Sequence, residues 1–370
     1  MSPGKWETRG YEKRQLFELQ IRRRVIEYQA EIVVNEKGEQ KVAPFPEGLT
    51  QAAQYGNSVK AHGVYMAVQQ LIPCERVSEH FDSQLHLPVS TGSICNFKQE
   101  ASELLEGFEH WLTGQLQAEK VLNLDETGIN IASKRVWLHS ASSDLYTRYY
   151  PHEKRGKEAM DEMGILPVTD AIMIHDHWKA YYSYENKEHG LCNSHHIREL
   201  TAAREEGQHW AQPMIDFLVE LNDKVDAEGG QLDIAGQQTA REKYRQIVKL
   251  AEAECPPPPP NPPGKRGRIA KSKTRNLIER LRDYEDDTLR FMTDPDVPFT
   301  NNLAERDLRM TKVQQKISGC FRSWEGARAF CRIRSYLSTC AKHTVSAADA
   351  LTILFDGKLP GFVGYVALKG

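Results

Sequence analysis

The sequence predicts a mixed α/β sheet flanked by helices, with a helical region before it and a helical insertion within it. Three strand-like runs follow one another at hairpin spacing, namely KVLNLDETGI, KRVWLHSAS and LYTRYYP. A helical run then leads to the apolar strand AIMIHDHW, and the short apolar piece GLCNSH precedes another helix. Strands that first form hairpins and then alternate with helices are typical of a mixed sheet.

The residues before the sheet divide into two predicted parts. Residues 1–50 are polar and mixed, and IEYQAEIVV followed by NEKGEQ predicts a strand and a turn. Residues 51–115 have helical spacing, with a break at Pro88 and a good N-cap at Ser90. A helix, a short turn and a capped second helix fit a DNA-binding helix-turn-helix or an ordinary helical hairpin, and the pattern leaves both open.

We expect the α/β core in two parts, residues 116–200 and 298–356, separated by a helical insertion at 201–297 and followed by a tail at 357–370. CPPPPPNPPG interrupts the insertion and cannot be a helix or an inner strand. KRGRIAKSKTR follows, with six cations and no acid in eleven residues. Such a run is either a solvated loop or an arm that contacts phosphate. Its lack of acids favours the arm, with Lys265, Arg266 and Arg268 as DNA contacts.

Composition excludes several classes of protein. Apolar residues make up 40% of the 370, and the net charge is −3, both ordinary for a soluble globular protein. The seven cysteines are scattered, odd in number and without a Cys-x-x-Cys pair, which indicates reduced thiols. The charged N-terminus does not resemble a signal peptide, and no apolar run is long enough for a membrane span. We therefore expect a cytoplasmic protein that does not enter membranes.

Two of the predicted strands end in a carboxylate, at Asp125 and at Asp176. Taken alone, each acid fits a solvated turn. If the two strands are neighbours, however, the carboxylates lie side by side, repel each other and raise a pKa. A divalent cation removes this conflict, and oxygen ligands favour Mg²⁺ or Mn²⁺. Glu126 should point to the opposite face of its strand, because successive side chains alternate.

A third acid, Glu305, lies early in a predicted helix within a basic region. From residue 305 to 343 there are nine Lys or Arg residues and three acids. At helical spacing, one face carries the acid and three cations: Glu305, Arg309, Lys312 and Lys316. Another face carries apolar residues and should face the core: Leu303, Met310, Val313 and Ile317. The helix therefore fits a metal ligand beside a phosphate-binding face, or simply a surface helix with internal ion pairs.

The segment LCNSHHIREL contains material for a metal site. Cys192 and His195 have the spacing of zinc ligands, but no second pair lies at the usual separation. The alternative is that Cys192 is a buried strand residue, while either His195 or His196, together with Arg198, lines the active site and contacts DNA.

Four blocks resemble the transposases of the insertion sequence 66 family. They are LDET (124–127), IHDHWKAYY (174–182), LCNSHHIREL (191–200) and NNLAERDLRMTKVQQKISGCFRS (301–323), and the last is long and distinctive. The resemblance covers about residues 50–355. It implies a ribonuclease-H-like core in which Asp125, Asp176 and Glu305 are the catalytic acids of a DDE transposase. It also implies two divalent ions, with Asp125 shared between them, and cleavage and strand transfer of DNA. We expect Arg322, at the end of the last block, to contact DNA.

The resemblance also implies partners: transposon-end and target DNA, a homodimer or larger assembly on DNA, and accessory proteins of the same element. Members of the family usually carry a coiled coil and a cysteine-rich zinc-binding segment before the helical region, and this sequence has neither. Residues 1–50 are therefore interpreted as the remnant of a longer N-terminal region. Two alternatives stay open: a non-catalytic DNA-binding protein derived from a transposase, and a ribonuclease-H-like nuclease or resolvase that acts on branched DNA.

Overall fold

The computed structural model describes Trp6 and residues 8–259 and 269–364. Lys265, Arg266 and Arg268, the predicted DNA contacts of the basic arm, lie outside the described residues. In this part of the chain there are seven strands: β1 (Ile32–Val34), β2 (Gln40–Val42), β3 (Val121–Ile131), β4 (Lys134–Ser142), β5 (Thr147–His152), β6 (Ile172–His175) and β7 (His189–Leu191).

A five-stranded mixed sheet forms the centre of the fold, in the order β5-β4-β3-β6-β7. Strands β3, β4 and β5 are antiparallel neighbours, whereas β6 is parallel to β3 and β7 is parallel to β6. The predicted mixed sheet is thereby confirmed. The long strand β3 lies in the middle, and Asp125 lies within it, so this side chain is held on rigid, paired backbone.

The described chain contains thirteen α-helices. They are α1 (Asn57–Val64), α2 (Cys74–Leu85), α3 (Thr91–Leu104), α4 (Glu106–Gln117), α5 (Lys157–Met163), α6 (Asn193–Glu205), α7 (Ala211–Ala227), α8 (Ile234–Glu254), α9 (Lys273–Asp283), α10 (Glu285–Leu289), α11 (Asn302–Ser318), α12 (Trp324–Lys342) and α13 (Ala347–Phe355). A π-helical turn continues α1 at Tyr65–Gln69, and short 3₁₀ turns occupy Tyr181–Ser183, Arg290–Met292 and Gly361–Val363. None of the described helices is long and apolar enough to cross a membrane.

The N-terminal residues up to about 50 are mostly exposed, and only a two-stranded hairpin is regular. Strand β1 is shorter than the predicted run 26–34, since pairing with β2 begins only at Ile32. The turn predicted at NEKGEQ joins the two strands, and the Asn35 side chain accepts hydrogen bonds from the N–H groups of Lys37 and Glu39. The strand is short because its side chains have no core to face: Ile32, Val33 and Val34 are all exposed.

Helices α2 and α3 form the predicted helix, turn and capped helix. The Ser93 N–H donates to the Ser90 side chain at 3.0 Å, as expected for an N-cap. The pair carries little positive charge, however, because residues 74–104 contain five acids and two cations. Helix α3 packs against α12, and both belong to the same hydrophobic cluster as the central sheet. The helical pair is thus built into the core, and its charge does not favour phosphate contact.

Helices α7 to α10 form the insertion and have a second hydrophobic cluster. Its buried residues come mainly from these helices, with Tyr244 fully buried at the centre. Ile172 and Ile174 of β6 belong to it as well, so the insertion covers one face of β6. The insertion therefore packs against and stabilises the strand that leads to Asp176.

Helix α11 packs on β3 and β4, but the predicted apolar face is only partly buried, with Val313 packed against the core. That prediction is wrong for Met310 and Ile317, which are 36% and 47% exposed. The buried positions of α11 are instead Ala304, Leu308, Thr311 and Gln314. Small and polar side chains on this face let the helix lie close to the sheet, and the rotation turns Glu305 towards β3.

Candidate active site

The strand that contains Asp125 and the strand that leads to Asp176 are neighbours, although β3 does not end at Asp125 as predicted and continues to Ile131. Strands β3 and β6 pair in parallel, with Asn123 opposite Ile174. Strand β6 ends at His175, and extending the register by two residues places Asp125 beside Asp176. Asp176 follows the end of β6, and its charge raises the pKa of Asp125, as expected for two carboxylates near each other.

A buried asparagine fixes the start of α11 against this edge of the sheet. Asn301, 1% exposed, donates from its side chain to the Leu124 carbonyl at 2.8 Å and accepts from the Asn123 side chain at 2.9 Å. Its backbone N–H donates to Cys192 Sγ at 3.2 Å. These bonds set the position of Glu305, one turn further along the helix. Asn301 is a functional residue that the sequence alone did not predict, and its only signal was the pair of asparagines at the start of α11.

A cavity of about 300 Å³ lies between β3, α6 and α11. Its lining residues are Asp125, Thr127, His195, Glu305, Leu308, Arg309 and Lys312. Three of the four residues on the predicted polar face of α11 therefore lie at one site with Asp125. Lys316, the fourth, is exposed one turn further on. Asp176 does not line this cavity, but its charge acts on Asp125.

The Asp125 carboxyl is in an environment that disfavours its charge. Burial, followed by the charges of Glu126, Asp176 and Glu305, raises the pKa of Asp125 to about 7. One hydrogen bond acts in the opposite direction, because the Glu126 N–H donates to Asp125 Oδ1 at 2.8 Å. A buried, uncompensated group of hard oxygen donors fits Mg²⁺ or Mn²⁺, which would remove the repulsion.

Glu126 faces the other side of the sheet and is fully partnered there. Its carboxylate pairs with Arg155 at 2.7 Å and accepts a hydrogen bond from the Tyr181 hydroxyl at 2.7 Å. The Arg155 guanidinium lies 3.8 Å from the ring centre of Trp178 and 4.7 Å from that of Trp137. Held in this way, Glu126 has little freedom to act as a ligand in the cavity. The alternation along β3 thus separates the two adjacent acids.

Glu305 is held by cationic and histidine side chains. Its Oε1 accepts from Arg198 at 3.2 Å and lies 3.6 Å from His195 Nδ1. Within the described chain, two sets of His, Cys, Asp or Glu ligand atoms converge to within 4.8 Å of one another: Cys192 with His195 and Glu305, and His152 with Glu158 and Glu162. The three acids Asp125, Asp176 and Glu305 do not converge as tightly.

The remaining predicted DNA contacts lie in different places. Arg198 is exposed but engaged with Glu305, and His195 lines the cavity. Arg322 is exposed and lies beyond the far end of β3, where Phe321 bridges to Ile131. Six residues of extended strand separate Asp125 from Ile131, or about 20 Å. Arg309, Lys312, His195 and Arg198 therefore cluster around the acids, whereas Arg322 does not.

In the metal-free protein, Asp125 should make the free energy of unfolding fall as pH rises. Its pKa is raised from an ordinary 3.8 to about 7, so the folded chain holds a proton that the unfolded chain releases between these values. This contribution is fully present below about pH 4 and lost as pH rises through about 7. Urea unfolding in EDTA measures this effect. Between about pH 5 and 8, the free energy of unfolding should fall by about 2 kcal/mol more in wild type than in Asp125→Asn. Parallel pH profiles would contradict the assignment.

Comparison with known proteins identifies one family. The family model described as "Transposase IS66 family" matches residues 52–329, about three quarters of the chain. The match includes β3, β6 and α11, which carry the three acids. No curated protein matches the sequence significantly.

Proposed function

We propose, from the premise that the chain belongs to the IS66 transposase family, that it is a DDE-type DNA transposase that cleaves element ends and transfers the freed strand. This proposal rests on one observation: a single cavity near Asp176 is lined by Asp125, Glu305, Arg309 and Lys312. Acids that bind metal and cations that bind phosphate lie there side by side. The mixed sheet, with one acid within β3 and another directly after the neighbouring strand β6, supports a ribonuclease-H-like core.

The proposed metal ligands are Asp125, Asp176 and Glu305. When bound at these carboxylates, Mg²⁺ or Mn²⁺ would activate a water or a 3′-hydroxyl and would stabilise the leaving oxygen. The raised pKa of Asp125 supports this, because a site with a strong need for positive charge binds cations well. Glu305 would exchange its contact with Arg198 for the cation, and the Arg198 side chain, 60% exposed, is free to move away.

The cationic face of α11 would hold the phosphodiester backbone. Arg309 and Lys312 line the cavity, and Lys312 Nζ lies 3.4 Å from the Gly128 carbonyl, above the same stretch of β3. A backbone phosphate there would be positioned without reading the bases. His195, on the opposite wall, would contact the same strand through a ring nitrogen.

The test is an assay of cleavage and strand transfer on duplex DNA that carries the element ends. We expect products that require Mg²⁺ or Mn²⁺ and disappear with EDTA. DNA binding without cleavage or strand transfer in the wild-type protein would instead support a non-catalytic DNA-binding protein.

A second candidate function is cleavage of branched DNA. The observation in its favour is the acidic character of α2 and α3, which does not suit end-specific phosphate contacts. A junction nuclease shares the acids but selects its substrate by shape. Competition between end DNA and a four-way junction separates the two, because a transposase should prefer the ends.

Replacing Lys312 with Gln should weaken DNA binding by about five- to tenfold near 0.1 M salt. The loss should be similar for all sequences, and the salt dependence of binding should fall by about one in slope. Titrations at several salt concentrations measure both. Lys243→Gln is the matched control, since Lys243 lies on α8 and pairs with Glu220 at 3.2 Å. An equal loss in both variants would show a general charge effect in place of a phosphate contact.

A further inference from the structure

Glu305 also lies next to a thiol and an imidazole, which are softer metal ligands than carboxylates. The ligand atoms of Cys192, His195 and Glu305 lie within 4.8 Å of one another. Cys192 is the N-cap residue of α6, His195 lies in the first turn of that helix, and Glu305 lies in the first turn of α11. Asn301 ties these two helix starts together through its N–H bond to Cys192 Sγ. The three side chains are thus held by rigid elements and do not depend on a loop.

The spacing of the ligand atoms fits a tetrahedral ion. Ligands bound at about 2.0–2.1 Å in a tetrahedron lie about 3.4 Å apart, and His195 Nδ1 lies 3.6 Å from Glu305 Oε1. That Nδ1 atom is buried and has no hydrogen-bond partner among the described residues. A small closing movement of the cysteine and the two other side chains would bring all three to bonding distance.

We propose that Cys192, His195 and Glu305 bind a tetrahedral, thiolate-accepting divalent cation, best matched by Zn²⁺, with water as the fourth ligand. Mg²⁺ does not fit this set, because it takes oxygen ligands in octahedral geometry. Glu305 also belongs to the site proposed for Mg²⁺, so Zn²⁺ here withdraws it from DNA processing. Binding rests on the geometry of the three ligands, whereas this inhibition rests on the proposed transposase function.

Arg198 opposes binding of the cation. Its guanidinium donates to His195 Nε2 at 3.2 Å and to Glu305 Oε1 at 3.2 Å. Accepting at Nε2 places the ring proton on Nδ1, whereas a metal needs the Nδ1 lone pair. Arg198 must therefore leave both residues when the cation binds, and it is exposed enough to do so. Removing its charge should tighten the binding of Zn²⁺.

Titration of the purified full chain with Co²⁺, followed by displacement with Zn²⁺, tests the site without DNA. We expect one equivalent of Co²⁺ with tetrahedral visible bands and a thiolate charge-transfer band, both removed by Zn²⁺. Cys192→Ser should lose the thiolate band and bind Zn²⁺ about tenfold or more weakly. His195→Asn should weaken binding similarly but keep the thiolate band when saturated. Arg198→Gln should bind more tightly than wild type.

Cys95→Ser is the matched control. The thiol of Cys95 interacts with that of Cys74, so this pair is the alternative source of a thiolate ligand. The proposal is overturned if Cys95→Ser loses the band, or if Cys192→Ser keeps it. Circular dichroism confirms that each variant is folded. If Zn²⁺ binds as expected but no DNA processing occurs with Mg²⁺, the transposase proposal fails and the zinc site stands. If Mg²⁺-dependent processing occurs but Zn²⁺ does not bind, only the zinc site fails.

Discussion

Replacing Asp125 with Asn should abolish DNA cleavage and strand transfer, by at least about 10³-fold in rate, and leave DNA binding intact. Asparagine keeps the size of the side chain but removes the negative charge that would hold the cations. Loss of a charge that repels phosphate should leave DNA binding equal or slightly tighter. The variant should also fold well, because the buried carboxylate is destabilising when charged. Single-turnover cleavage and a binding titration on the same end DNA measure the two effects separately.

Asp170→Asn is the control for this prediction. Asp170 precedes β6, its side chain is fully exposed, and it pairs with Lys187 at 2.9 Å. The same chemical change there should leave cleavage within about twofold of wild type. If Asp125→Asn cuts DNA at the wild-type rate, Asp125 is not a metal ligand, and Glu126 would be the next residue to test.

Periodicity along the chain was sufficient to predict the central sheet. The alternating run of β3 gave its position, and the alternation also separated Asp125 from Glu126 onto opposite faces. The pattern could not predict which side chains contact each face of β3. Glu126 is held by Arg155 and Tyr181, which lie 29 and 55 residues further along the chain. Such partners follow from the tertiary fold, so the local sequence gives no signal for them.

The rotation of α11 shows where helical periodicity fails. The helix has two partly apolar stripes, and the more apolar one, with Met310 and Ile317, is largely exposed. The stripe that packs on the sheet contains Ala304 and Thr311, whose small size allows close approach. Apolar side chains favour burial, but the rotation of this helix depends on which side chains fit closely against β3. The polar face with Glu305 could still be predicted, because its spacing does not depend on which apolar stripe is buried.

Asn301 marks a second limit of sequence reasoning. It joins residues 178, 177 and 109 positions away, so its role exists only once the sheet and α6 have formed. Asparagine before a helix is ordinarily interpreted as an N-cap. Here the side chain makes no cap bond and links the start of α11 to β3. The location of Glu305 therefore depends on a residue whose ordinary sequence interpretation is wrong.

Replacing Asp307 with Ala should lower the free energy of unfolding by about 3 kcal/mol. Asp307 pairs with Lys342 at 3.1 Å, and the two side chains are only 12% and 13% exposed. Its Oδ2 also accepts from the Ser142 and Thr147 hydroxyls at 2.7 and 2.8 Å. The alanine variant leaves the Lys342 ammonium buried with only the carbonyls of residues 143 and 146 as partners. Urea unfolding at constant pH measures the loss.

Removing both charges separates two possible causes of this loss, namely the unpaired charge left on Lys342 and the lost contacts of Asp307. Burial lowers the pKa of Lys342, and the charge of Asp307 acts in the opposite direction. The double variant Asp307→Ala/Lys342→Met should therefore be less destabilised than Asp307→Ala alone, because no unpaired charge remains buried. Arg306→Ala, at the exposed neighbouring position, should change stability by less than about 0.5 kcal/mol. Additive losses in the double variant would instead mean that the ion pair does not couple α11 to the end of α12.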